Sequence, residues 1–264
     1  MDFSTYKAIL FRRDGKVLHA TFNRPDTLNA FDDDLHHEVE RLMKDASNDR
    51  ETGVVVLTGS GRAFSAGGNI DDMQKTIDQP ERFFDSMTNA RNLVFSIMDC
   101  TKPVIAKING PAMGLGATVA LFCDMAIATH KAKIADPHVN VGFVAGDGGA
   151  VIWPQLIGYM RAKEYLLTGD TLLGEEAARI GLINRSVAPE ELDAAVDQLA
   201  QKLAKGASRA IQWTKQSVNI RLKEVANSVF DASIALEALS NITKDHQEAV
   251  TAFREKRAPK FTGE

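Results

Sequence analysis

The sequence predicts an α/β protein built from stacked β/α units with mostly parallel strands, followed by a mainly helical C-terminal part. Three observations carry this expectation. Apolar, β-prone runs alternate with patterns of helical spacing. Two glycine-rich segments each follow an apolar run and open towards a helix. From about Leu166 onward every periodic pattern is helical.

In chain order, Lys7 to Asn23 alternates around the turn residues Arg13-Asp14-Gly15 and reads as a β-hairpin. From Asp32 to Ala46, Leu35, Val39, Leu42 and Met43 fall at helical spacing, and Asp32 to Asp34 place negative charge where the helix dipole favours it. Val54-Val-Val-Leu57 is a buried strand. Phe83, Phe84, Met87, Val94, Ile97 and Met98 mark an amphipathic helix that stops before Lys102-Pro103. Val104 to Ile108 is a strand, Ala117 to Phe122 an apolar helix and Met125 to Ala128 a further strand. Helical patterns follow at Glu175–Ile180, Glu190–Leu203, Ala207–Leu222, Val225–Leu239 and His246–Lys256.

With 264 residues, 44% of them hydrophobic, the chain suffices for one large core. A net charge of −4 with the signs mixed gives no field to recruit nucleic acid or an anionic membrane, so a small molecule is the expected partner. The N-terminal stretch from Met1 lacks the apolar core of a signal peptide, and no run reaches the length of a membrane span. The two cysteines, Cys100 and Cys123, lie in apolar stretches and read as buried thiols, which points to the cytoplasm.

The glycine segments are Gly59-Ser-Gly-Arg-Ala-Phe-Ser-Ala-Gly-Gly-Asn69 and Asn109-Gly-Pro-Ala-Met-Gly-Leu-Gly-Ala-Thr118. Either one alone is more often a tight turn than a site. Phe64 and Val119 stand where a dinucleotide fingerprint needs its third glycine, and no Gly-Lys-Ser/Thr loop for phosphate is present. Ser65 lies between Ala63 and Gly67, not in a nucleophile elbow. Together, the two segments could aim unpaired N–H groups at one acyl oxygen and form an oxyanion hole.

The phrases Arg62-Ala-Phe-Ser-Ala-Gly-Gly-Asn69, Lys107-Ile-Asn-Gly-Pro-Ala-Met-Gly-Leu-Gly116, Leu167-Thr-Gly-Asp170 and Ala252-Phe-Arg-Glu-Lys-Arg257 resemble the enoyl-CoA hydratase/isomerase family, the crotonases. The likeness covers nearly the whole chain. It implies a spiral core of ββα units over residues 1–200, carrying the acyl-CoA site, and a helical oligomerisation region over 201–264 that builds a homotrimer or a hexamer. It implies oxyanion donors at the N–H groups of Ala66 and Leu115, and an enolate of a CoA thioester as the shared intermediate. Coenzyme A enters only as part of the substrate; no permanently bound cofactor and no metal is implied. Around the CoA, the resemblance implies Arg24, Ala30, Ala66, Gly67, Asn69 and Ile70. It adds Phe253 and Lys256, which would reach the CoA of a neighbouring subunit.

Two positions depart from the hydratase pattern. Where those enzymes have two glutamates, this chain has Thr118 and His138, and a threonine hydroxyl is a poor general base. His138 titrates in a useful range, and Asp147, between glycines, suits a turn or a held carboxylate. The spacing of Pro137-His138, Gly146-Asp-Gly148 and Ile152-Trp-Pro154 resembles 6-oxocamphor hydrolase, a crotonase relative that cleaves β-diketones. That likeness implies chemical roles for His138 and Asp147 with Glu237 in support. Leu115, where that relative has histidine, and the basic tail through Phe261 favour an acyl-CoA substrate instead. Three readings follow: an acyl-CoA hydratase or isomerase with non-standard acid/base residues, a hydrolase of C–C bonds in a β-diketone or 3-oxoacyl-CoA, and an impaired acyl-CoA-binding protein. Asp32-Asp-Asp-Leu-His-His37 reads as a capped, hydrated helix start, because consecutive residues point around a helix and do not converge on a metal. His19 and His130 read as structural. Phe83, Phe84 and Phe95 read as core or the wall of an acyl pocket.

Overall fold

The computed structural model describes residues 1–264, the side chain of Asp85 excepted. Strands β1 (Ile9–Asp14) and β2 (Val17–Phe22) form the expected antiparallel hairpin. Helix α1 (Asp33–Asn48) starts where Asp32 caps it, its carboxylate accepting from Leu35 N–H at 2.8 Å. Strand β3 (Val54–Gly59) pairs in parallel with β2, and helices α2 (Ile70–Asp78) and α3 (Glu81–Asp99) lead to β4 (Val104–Ile108), parallel to β3. A two-residue strand β5 (Ala112–Met113) precedes α4 (Leu115–Phe122), and β6 (Met125–Thr129) returns beside β4. Next come β7 (Lys133–Ala135), α5 (Gly149–Thr168), β8 (Leu172–Leu173), α6 (Gly174–Arg179), β9 (Arg185–Val187) and α7 (Leu192–Ala204). Helices α8 (Ser208–Asn241) and α9 (Lys244–Glu255) close the chain.

The main sheet runs β1-β2-β3-β4-β6-β9, parallel throughout except for the first pair; β5-β7-β8 form a smaller second sheet. Because the main sheet is covered on both faces, its central strands are predominantly apolar. All six residues of β3 are buried: Val54 and Val56 face Leu192, Val196 and Ala200 of α7, whereas Val55 and Leu57 face the larger core with α1, α3 and α4.

Two expectations on the helices need correction. Ala207–Leu222 and Val225–Leu239 are one helix, α8, because no glycine or proline interrupts the chain between them. Its inner face, with Ala226, Phe230 and Ile234, joins the larger core. Helix α5 is missing from the expectations because Pro154 and the non-helical Gly158 obscure its period. Cys100 and Cys123 are buried free thiols, as expected. Among the described residues no helix is long and apolar enough to cross a membrane.

Candidate active site

Both glycine segments leave the same end of the main sheet, after the neighbouring parallel strands β3 and β4, so strand pairing sets them side by side. Asn29 and Asn109 hold the first segment from two sides. Asn29 Nδ2 donates to the carbonyls of Ser60 and Ala63, both at 2.9 Å, and Asn109 Nδ2 donates to Gly59 at 3.0 Å and Gly61 at 3.2 Å. Phe64 and Ser65 N–H donate to Pro111 O, and Met113 N–H returns the bond to Ser65 O at 3.0 Å. Gly67 has φ +86°, and a Cβ there would stand 2.4 Å from Met113 O; only glycine lets the two segments come this close.

This geometry moves one expected oxyanion donor. Ala66 N–H is already used, donating to Leu28 O at 2.9 Å, and Ala66 is not part of the cavity wall. Gly67 N–H donates to Ser65 Oγ at 3.1 Å. The next residue, Gly68, lines the cavity, and no group among the described residues accepts from its N–H. Leu115, at the start of α4, also lines the cavity with its N–H unpaired, as the first turn of a helix leaves it. The backbone donors facing the cavity are therefore Gly68 and Leu115. The motif alone points to Ala66 because the bond that consumes its N–H comes from Leu28, outside the motif.

The cavity, about 320 Å³, is lined by His36, His138, Asp147 and Glu237 as well as by Gly68 and Leu115. His138 opens the short 3-10 segment His138–Val141, and its Nδ1 hydrogen-bonds Asp136, which no motif in the sequence marks. On the other side, His138 Nε2 lies 3.4 Å from Asp147 Oδ2, and Thr118 Oγ1 donates to Asp147 Oδ1 at 3.3 Å. Thr118 thus orients a carboxylate instead of acting as a base. Burial disfavours the His138 imidazolium, but attraction to Asp136 and Asp147 overcomes it and holds the pKa well above the ordinary value. Burial likewise opposes the Asp147 carboxylate, yet His138 and the Thr118 hydroxyl keep its pKa below the ordinary value. Glu237, on α8, shows the opposite outcome. Burial first, and repulsion by Asp147 second, push its pKa up to about 8, and its Oε2 has no partner. Two carboxyl groups in one cavity, one ionised and one protonated at neutral pH, make a base and an acid.

The chain segment that carries His138 is clamped from outside. His246 Nδ1–H donates to Val141 O at 2.6 Å, and its ring stacks on Phe143 with centroids 3.7 Å apart. A Cβ on Gly142 would meet His246 backbone at 2.8 Å, so α9 presses directly on this segment. His246→Leu is expected to lower kcat by about 10-fold to 100-fold through misplacement of His138, with a smaller change in KM. His246→Asn, which keeps a donor near Nδ1, should recover most of the loss.

Of the residues expected around CoA, Asn69 lines the cavity and caps α2, its Oδ1 accepting from Asp71 N–H at 2.8 Å. Ile70 begins α2, and Gly67 and Ala30 are buried. Arg24 pairs with Asp32 at 3.1 Å and Asp34 at 3.6 Å. Phe253 and Lys256 are exposed at the end of α9 and do not line the cavity. The Asp32–His37 expectation holds for the Asp32 cap but not for hydration throughout, because His36 turns into the cavity wall. Phe83 lines the cavity as well, whereas Phe84 is exposed.

Residues 12–264 match the sequence pattern of the family described as enoyl-CoA hydratase/isomerase. The chain belongs to the enoyl-CoA hydratase/isomerase family. It is 34% identical over 252 residues to the short-chain-enoyl-CoA hydratase of Clostridium acetobutylicum, covering 94% of this chain and 95% of that one. It is 32% identical over 255 residues to the 1,2-epoxyphenylacetyl-CoA isomerase of Escherichia coli, again covering 94% and 95%. The crystal structure of an enoyl-CoA hydratase/isomerase from Mycobacterium paratuberculosis superposes with a TM-score of 0.89 at 35% identity, covering 94% of this chain and 99% of that one. The crotonase-like fold and the standing of this chain as an enzyme of the hydratase/isomerase type follow from these likenesses.

Proposed function

We propose that this hydratase/isomerase family member moves protons on an acyl-CoA thioester through an enolate, with Asp147 as base, Glu237 as acid and His138 holding the base in place. The observation that carries the reading is the pair of carboxyl groups in one cavity with pKa values driven apart. The thioester oxygen accepts from Gly68 N–H and Leu115 N–H. Each such donor strengthens as charge develops on that oxygen. In hydration, Asp147 takes a proton from water as its oxygen bonds to the β-carbon, and Glu237 delivers a proton to the α-carbon of the enolate. In a double-bond shift the same two groups remove and return carbon-bound protons. The two carboxyls come from the loop after β7 and from α8, and Asp147 sits beside Thr118 and His138, the two positions where the hydratase pattern has glutamates.

The substrate is a small molecule, and the CoA portion runs out past Asn69, Ala30 and Arg24, with Phe253 and Lys256 supplied by a neighbouring copy. A homotrimer or a hexamer is supported by the exposed apolar residues Trp213, Val218, Ile220, Leu236, Leu239 and Ile242 on α8 and just beyond it. Two free thiols support a cytoplasmic site of action.

A second reading has its own support. Asp147, ionised and held by the His138 imidazolium that Asp136 backs, is suited to activate water against a 3-oxo group, as C–C hydrolysis requires. Crotonyl-CoA, a 3-enoyl-CoA and acetoacetyl-CoA incubated separately in ¹⁸O-labelled heavy water separate the outcomes. Hydration places ¹⁸O and deuterium in a 3-hydroxyacyl product, and a shift leaves deuterium without ¹⁸O. Label in a released acid fragment establishes the hydrolase. Tight binding with no turnover of any of the three would overturn both enzymatic readings and leave an acyl-CoA-binding protein.

A further inference from the structure

His36 has no place in the mechanism above, yet it occupies the same cavity wall as Asp147 and Glu237. It sits in the first turn of α1, which fixes its backbone through the His36 N–H to Asp32 O bond at 3.0 Å. Its ring is held edge-on against Phe31, with centroids 5.3 Å apart. Nδ1 is wholly buried and has no hydrogen-bond partner. The part of the ring that remains accessible, carrying Nε2, therefore forms the cavity wall, and no protein group among the described residues engages it.

The protonation of this ring follows from its surroundings. Burial pushes the His36 pKa down to about 4, and attraction to Asp147 offsets this only in part, so the imidazole is neutral. A neutral imidazole carries one N–H. A buried N–H without an acceptor is costlier than a bare ring nitrogen, so the proton belongs on Nε2, where the cavity contents can accept it. Of the imidazoles in the cavity wall, His138 is thus held charged by carboxylates, whereas His36 is neutral with an N–H that awaits an acceptor.

We infer that His36 is a specificity-determining residue whose Nε2–H donates to a neutral oxygen, a ketone or hydroxyl, on the acyl chain of the substrate. A purely hydrocarbon chain would be disfavoured, because it would strip water from Nε2–H and return no hydrogen bond. The inference rests on the acyl-CoA reading and narrows it to thioesters whose acyl part bears an oxygen.

Binding of matched CoA thioesters by calorimetry tests this: butyryl-CoA against acetoacetyl-CoA, and pentanoyl-CoA against 4-oxopentanoyl-CoA. At least one oxygenated member is expected to bind about tenfold or more tightly than its hydrocarbon match, the effect of one satisfied buried donor. In His36→Leu that ratio should fall to about one. In His36→Gln, whose amide N–H₂ reaches a position close to that of Nε2, much of the ratio should return. Equal affinity within both pairs for the unaltered protein, or a preference that persists in His36→Leu, would overturn the role of His36 while leaving acyl-CoA binding intact. Failure of all four thioesters to bind would overturn the acyl-CoA reading itself, and this inference with it.

Discussion

Asp147→Asn is expected to lower kcat by about 10²-fold to 10⁴-fold, the usual contribution of a positioned acid or base, with a much smaller effect on KM. Asparagine preserves the size of the side chain and still accepts from Thr118 Oγ1, but it cannot take a proton. Steady-state kinetics on whichever thioester the enzyme turns over provide the check, and a kcat within threefold of the parent would remove Asp147 from the chemistry. The pH profile supplies a second, independent measure. Glu237 donates only while protonated, so kcat should fall as pH rises through about 8. Asp147 titrates below the ordinary carboxylate range, so the acid limb should lie well into the acid region. Glu237→Gln should be slow and should lack the alkaline limb; retention of that limb would assign it to another group.

Leu115→Pro is the sharpest expected result for the oxyanion hole. Leu115 is the first residue of α4, a position where proline suits the helix and where the missing N–H was unpaired in any case. Folding should therefore survive, while the hole loses one of its two donors. The expected cost is about 10²-fold to 10³-fold in kcat, corresponding to about 2.7–4 kcal/mol of transition-state stabilisation. Leu115→Ala controls for the lost side chain and should retain most of the activity, since its N–H is kept. Circular dichroism of both variants separates a damaged fold from a damaged hole. Equal activity of the proline and alanine variants would show that Leu115 N–H does not contact the reacting oxygen.

The sequence was most legible where one local pattern determines one element. The β1-β2 hairpin, the buried β3 and the helix carrying Leu35, Val39, Leu42 and Met43 all emerged from period and turn residues alone. The glycine segments announced a hole, but which amides stay free depends on long-range partners. Ala66 is consumed by Leu28, whose carbonyl reaches it only once the loop before α1 folds over. Asp136 was hidden for a related reason: its role exists only through contact with His138. His36 was hidden because a run of three aspartates and two histidines looks hydrated, and only the packed position of α1 shows that most of the run borders the cavity and that the His36 ring has a buried nitrogen. Helical period, by contrast, could not tell one long α8 from two shorter helices, since nothing in the sequence marks a break or its absence between Leu222 and Val225 except the lack of glycine and proline.

The parallel register of β3 on β4 has a consequence for how the protein matures. Gly68 and Leu115 are far apart in the chain, and their amides converge only after Val55 pairs with Val104 and the intervening helices α2 and α3 have docked. Parallel pairing of this kind closes a long loop before any contact rewards it, which makes it slow to form. On refolding, the helix signal is therefore expected to return before catalytic activity. Activity followed against far-UV circular dichroism during refolding checks this, and activity that returns together with the helix signal would overturn it.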